Sequence, residues 1–203
     1  MVFRFQRASC VAVGAFNIYI VQPKWLVAKS LIPEGIELTM ESKLDEPGFR
    51  FNSESMDVKW IVTPTRIVIE SEDANADCGT VMAKLLEWLP ETPVSGVGNN
   101  TQYAVTLSEV QSQLNLPNFP VDSPLEGHEI QQRTFHAGLK VSGCLHNLQL
   151  SVKNTTCELM TNCHLATSPD TTVDFIKHAR SFGEHRLLGT VLAKQYLKAD
   201  IHV

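Results

Sequence analysis

The sequence of 203 residues predicts an α+β fold, a large antiparallel sheet with its helices packed on one face. Three observations predict it. Apolar and polar residues alternate over Val58–Glu70 and again from Thr134 to Ala166, the period of half-buried strands. Val81, Leu85, Trp88 and Leu89 recur at three and four residues, and residues 170 to 198 carry a longer stripe of the same kind, so amphipathic helices follow the strands. Strands followed by a helix occur twice, which predicts two pseudo-repeated strand-strand-strand-helix lobes. Residues 1–107 form the N-terminal α+β lobe, 108–128 a proline-containing connection, and 129–203 a strand-rich, then helical lobe that shares a sheet or an interface with the first.

The first strand is expected in Cys10–Val21. Arg4 and Arg7 precede this apolar run, but Asn17 and Tyr19 interrupt it and no small-x-small cleavage site follows, which favours a strand over a signal peptide. Pro23 to Leu31 reads as a short helix with proline at its first position. Ile36–Met40 is an expected strand, and Phe49 and Phe51 alternate as in another. Thr63-Pro64-Thr65-Arg66 supplies a turn, and the resulting hairpin sets Trp60 opposite Ile69, Val62 opposite Ile67 and Lys59 opposite Glu70. Asp77 caps a helix over 78–89, and Pro90 ends it because it has no amide hydrogen to donate. Val94 to Tyr103 returns as a strand in which Gly96 and Gly98 mark a bulge or a close backbone approach.

Pro117, Pro120, Pro124 and Gly127 mark the connection. Thr134–Val141 then reads as a half-buried strand. His146–Lys153 and Glu158–Ala166 form a hairpin, and matching Lys153 to Glu158 sets Leu148 opposite Cys163 and His146 opposite Leu165. The final helix spans 170–198, with Val173, Ile176, Ala179, Phe182, Leu187, Leu188, Val191, Leu192 and Tyr196 facing inward. Gly183 is the point at which it can divide in two.

A formal charge of -5, from 17 basic and 22 acidic residues, argues against a nucleic-acid backbone binder. No run of about 18 apolar residues is present, so no membrane partner is expected. Five cysteines, at 10, 78, 144, 157 and 163, include no CxxC pair and fit a reducing, cytoplasmic compartment. Seven histidines, at 128, 136, 146, 164, 178, 185 and 202, crowd the second half without an HExxH motif. Asp174, His178 and His185 stand at i, i+4 and i+11 and read as a solvated helix face. Cys78, at a helix start, is the one thiol that a helix dipole would activate. Cys144 and His146 share a strand face with no partner cluster visible in sequence, whereas Cys163 and His164 point to opposite faces and make no dyad. Val94–Thr101 offers backbone amides to an anion but lacks the Lys-Ser/Thr and the following helix of a phosphate loop. No catalytic constellation is therefore expected beyond the sparse set Cys78, Asp174, His178 and His185, and no metal or cofactor is assigned.

Leu89-Pro-Glu-Thr-Pro-Val-Ser-Gly-Val-Gly-Asn-Asn100, together with Thr161-Asn-Cys-His-Leu165, resembles a poorly characterised group of bacterial proteins with a Leu-Pro-x-Thr-Pro segment, a Gly-x-Asn segment and a late Asn-x-x-His-like strand. The resemblance implies a bacterial or phage-associated setting and transfers no activity. The expected function is a non-enzymatic interaction or assembly component that forms a homo-oligomer or binds another protein. Two alternatives stand beside it. One is a small metal- or thiol-dependent hydrolase whose residues meet only in three dimensions. The other is a nucleic-acid accessory protein that stacks bases on Trp25, Phe49, Phe51 and Trp60.

Overall fold

A computed structural model describes residues 2–42, 47–53, 56–106, 132–141, 143–153, 156–166 and 172–202, so the expected connection at 108–128 lies outside the described residues. In chain order these residues form β1 (Val2–Gly14), α1 (Pro23–Ala28), β2 (Thr39–Glu41), β3 (Phe49–Asn52), β4 (Lys59–Val62), β5 (Arg66–Ser71), α2 (Cys78–Glu87), β6 (Val94–Thr106), β7 (Gln132–Val141), β8 (Cys144–Lys153), β9 (Thr156–Ala166), α3 (Thr172–Arg180), α4 (Phe182–Leu197) and β10 (Asp200–His202). The strands make one sheet in the order β2-β3-β4-β5-β1-β6-β9-β8-β7, with β10 parallel to β1 and every other pairing antiparallel. The fold is α+β with a large, mostly antiparallel sheet.

The first strand begins and ends earlier than the apolar run suggests. Phe3 is buried and Arg4 exposed, so the alternation starts at the N-terminus. Past Gly14 the chain leaves the ladder. The amides of Ala15 and Phe16 bond instead to the carbonyls of Pro93 and Pro64, and Phe16 and Val21 enter the core from outside the sheet. An apolar run without alternation was the warning, because it fits any buried segment as well as a strand.

The two hairpins test register. β4 and β5 pair Lys59 with Glu70, Trp60 with Ile69 and Val62 with Ile67, as the proline turn dictates. β8 and β9 depart by two residues from the expected pairing: Ser151 lies opposite Glu158, Leu148 opposite Thr161, and His146 opposite Cys163. The Lys153–Glu158 ion pair does form, at 2.9 Å, but diagonally across the ladder. Charge matching found the contact and misplaced the register. A shift by two preserves the face of every side chain and changes only its neighbour.

α2 buries Met82, Leu85 and Leu86, and Asp77 accepts a hydrogen bond from the Thr80 amide at its N-terminus. It joins a core of Cys10, Ala12, Trp60, Ile67, Ile69, Phe175 and Phe182. A second cluster gathers Phe3, Tyr103, Leu150, Leu159 and Leu197. The C-terminal helix divides at Ser181, and α4 starts at Phe182. The inward stripe expected for it holds at Ala179, Phe182 and Leu192, which are buried, but not at Leu187, Val191 and Tyr196, which are exposed while Gly189, Ala193 and Leu197 are buried instead. Gly189 lets α4 lie against β9, since a Cβ there would stand 2.8 Å from Thr161 Oγ1.

Two glycine substitutions in α4 should act oppositely. Gly183 has open space around it, so Gly183→Ala should raise unfolding free energy by a few tenths to about 1 kcal/mol through helix propensity. Gly189→Ala should lower it by about 1–3 kcal/mol, because overpacking against Thr161 outweighs the same propensity gain. Urea denaturation of both variants checks the pair, and stabilisation by Gly189→Ala would contradict the packing of α4 on β9.

Candidate functional site

Strand register assembles one row of side chains across four neighbouring strands. Cys10 of β1 faces Asn99 of β6, Asn99 faces Cys163 of β9, and Cys163 faces His146 of β8. Cys144 lies two residues before His146, hence on the same face. The break at Ser181 turns the end of α3 and the start of α4 toward this row. His178 and His185 thereby meet each other, with ring centroids 4.4 Å apart, and also meet the strands.

The contacts are specific. Cys163 Sγ is 3.3 Å from His146 Nε2, and Cys144 Sγ is 3.7 Å from His178 Nδ1. His178 Nε2 lies 3.1 Å from the Cys163 carbonyl oxygen, which can only accept, so Nε2 carries the proton and Nδ1 keeps its lone pair. Asn99 Nδ2 donates to the His178 carbonyl at 3.0 Å and sits 2.8 Å from His185 Nδ1. Asn99 Oδ1 is buried without a partner among the described residues. One donor atom from each of Cys144, Cys163, His178 and His185 falls within a mutual separation of 4.8 Å.

Burial sets the charge state. It lowers the pKa of His146 and of His178, and it lowers that of His185 to about 4, helped by the neighbouring His178 and His146. Burial, then Cys144, pushes the Cys163 thiol up to about 12. Around neutral pH the cluster is thus a set of neutral imidazoles and a protonated thiol. The Cys163–His146 pair has the spacing of a nucleophile and its base, but Cys163 is only 2% and His146 only 3% exposed. The cysteines and histidines converge with Cys163, His146 and His178 buried and Cys144 and His185 half-buried. Thiols and imidazole lone pairs this close are, however, donors that a metal ion could take.

The residues singled out in the sequence are distributed unevenly over this site. His178 and His185 belong to it; the solvated face expected for them does not exist, because His178 is 4% exposed and His185 half-buried. Asp174 is exposed and stays outside the cluster. Cys78 does open a helix, but burial and the Asp77 carboxylate push its thiol up to about 12, and its sulfur rests 3.8 Å from the Ala8 carbonyl. Desolvation overrides the helix dipole there. Val94–Thr101 lies within β6, bonded to β1 on one side and β9 on the other, so its amides cradle no anion. Phe49, Phe51 and Trp60 are core residues and offer no stacking platform. Sequence reasoning missed Cys144, Cys163, His146 and Asn99. The spacing of Cys144 and His146 was the available signal, and the two-residue register shift concealed Cys163 as their neighbour.

No family model matches the chain, and no curated protein matches it.

A pH dependence follows from the neutral imidazoles. A histidine whose folded pKa is lowered binds its proton first in the unfolded chain, so folding stability is fully present above the unfolded value near 6.5 and is lost as pH falls. Metal-free protein should show a flat urea midpoint only between about pH 7 and 8, because above the unfolded thiol value near 8.5 the raised thiols of Cys78 and Cys163 cost stability. The midpoint should then decline from about pH 6.5 toward the folded value of His185, about 4. The replacement His185→Gln should shallow that decline, and an unchanged slope would contradict the burial of this ring.

Proposed function

We propose that the protein is a non-enzymatic interaction component that self-associates through the outward face of α4. One observation carries this reading. Glu184, Leu187, Val191 and Lys194 follow a three-four repeat along the helix, Lys198 stands at its C-cap, and all of them are exposed. Leu187 is 68% and Val191 42% exposed, on the side opposite the buried Gly189, Leu192 and Ala193. Two branched apolar side chains at successive turns of a helix are a packing surface without a partner among the described residues.

Charge placement selects the partner. If two copies of α4 cross antiparallel at Val191, Glu184 of each meets Lys198 of the other, and Leu187 packs between Val191 and the stem of Gln195. A parallel pairing would set like charges together. A helix of this length spans about 24 Å, so it covers less than the roughly 800 Å² per partner of a standard interface. Association is accordingly in the weak, micromolar class.

The chain order of each half supports a pseudo-duplicated architecture. β1 is followed by a meander whose last strand, β5, returns beside it, and then by α2; β6 is followed by β7, β8 and β9, with β9 beside it, and then by α3 and α4. Helices on a single face are supported by the contacts of Cys78 with Ala8 and of Gly189 with Thr161, residues of one cross-strand row. The other face carries Ser9, Asn100, Asn162 and Asn147, joined side chain to side chain. Five free cysteines fit a reducing cytoplasm, and the resemblance noted above fits a bacterial or phage-associated setting. Among the described residues no helix is long and apolar enough to cross a membrane.

Sedimentation equilibrium tests the reading. The protein should show a concentration-dependent monomer–dimer equilibrium, weakened about tenfold or more by Val191→Glu. Glu184→Lys should weaken it as well, and the double change Glu184→Lys with Lys198→Glu should restore it, since the pair is exchanged between identical subunits. A monomer at every concentration, or a double variant no better than the single one, would remove this surface as the contact.

A further inference from the structure

We infer that Cys144, Cys163, His178 and His185 form a structural site for a zinc-type divalent ion, which fastens the α3–α4 corner to strands β8 and β9. This site faces away from Leu187 and Val191 and is independent of self-association.

The donor set and its spacing carry the inference. Two thiols and two imidazoles are the ligand chemistry of closed tetrahedral zinc sites. With metal–sulfur bonds near 2.3 Å and metal–nitrogen bonds near 2.0–2.1 Å, tetrahedral ligand atoms stand about 3.3–3.8 Å apart. The four donors here lie within 4.8 Å of one another, and Cys144 Sγ and His178 Nδ1 are already at 3.7 Å. Closing the rest needs side-chain adjustments of about 1 Å or less, well within rotamer freedom. The donors come from β8, β9, α3 and α4, so one ion joins four elements.

The surroundings fit the same role. A metal-binding histidine usually donates its second ring N–H to a carbonyl or a carboxylate, which fixes the tautomer. His178 does this through Nε2 to the Cys163 carbonyl, leaving Nδ1 for the ion. For His185 the equivalent partner is Asn99, whose buried Oδ1 has none. Turning that amide by half a rotation exchanges its bond to the His178 carbonyl for one from His185 Nδ1–H to Oδ1, and frees Nε2 to bind the ion. Loading exchanges the two thiol protons for the metal: a dication and two neutral thiols give a dithiolate complex and two protons released to solvent, so the buried centre is uncharged overall. Four protein ligands fill the coordination sphere, and the site is structural with no open position for a substrate.

The test uses the full-length chain, reduced and stripped with chelator, then titrated with zinc and separately with cobalt(II) as a spectroscopic substitute. One ion per chain should bind, cobalt should show tetrahedral ligand-field bands with thiolate-to-cobalt charge transfer, and zinc should raise the thermal midpoint. Cys144→Ser, at a half-buried position, should weaken zinc binding by more than the roughly 10–100-fold that loss of an outer partner costs, and Asn99→Leu should fall within that range. Cys157→Ser, a buried thiol outside the cluster, should bind zinc as the wild type does. His185→Gln serves as the ligand variant if Cys144→Ser does not fold. Less than one ion per chain, octahedral cobalt without thiolate charge transfer, or ligand variants with wild-type affinity would each overturn the site.

Discussion

Pairing between β1 and β6 is the constraint on which the remainder of the molecule depends. Each strand has 13 residues, they run antiparallel at the middle of the sheet, and each is bonded on its far side to a second strand, β5 or β9. Central strands of this length satisfy their backbone groups on both edges, which leaves side chains alone to decide what covers the faces. One register then fixes two consecutive rows. Ala8, Thr101, Thr161 and Leu148 form one, and Cys10, Asn99, Cys163 and His146 the other. A shift of one residue would turn both rows to the opposite face and dissolve the core together with the site.

The polar content of the second row is costly in isolation. Asn99, Cys163 and His146 are buried where apolar side chains would pack more simply, and a buried polar group without a partner costs about 1–3 kcal/mol. Helices α3 and α4 supply part of the compensation: the His178 carbonyl and the His185 ring take the Asn99 amide, and the His178 ring reaches the Cys163 carbonyl. The orphaned Asn99 Oδ1 shows that the compensation is incomplete. A bound ion would give these cysteine and histidine donors a common partner and explain why so much donor chemistry collects in one place.

Interior and exterior of the C-terminal helices differ in chemistry. The inward side of the α3–α4 corner holds the row of cysteines and histidines, and close approach is possible because Gly189 has no side chain to keep α4 from Thr161. The outward side keeps Leu187 and Val191 in solvent between Glu184 and Lys198. A helix fixed to the sheet presents its outward face without further ordering, which is what the proposed self-association would draw on.

Local signals in the sequence determined much of the architecture. Alternation fixed which residues of β4, β5, β7, β8 and β9 face the core, the proline turn fixed the Lys59–Glu70 register, and Asp77 fixed the start of α2, because each of these depends on neighbours along the chain. The assignment of Cys144 and His146 to one face, and of Cys163 and His164 to opposite faces, was equally local and agrees with the strands. Tertiary structure decided the rest. The β8–β9 register lies two residues from the ion-pair match, since β9 is also bonded to β6 along its whole length, and α4 buries Gly189 and Ala193 in place of Leu187 and Val191. The side chains of the site come from positions 99, 144, 146, 163, 178 and 185, on three strands and two helices, so beyond the Cys144–His146 pair no spacing along the chain could reveal them. Face is a property of the local period, whereas meeting across elements is a property of the fold, and only the fold brought these side chains together.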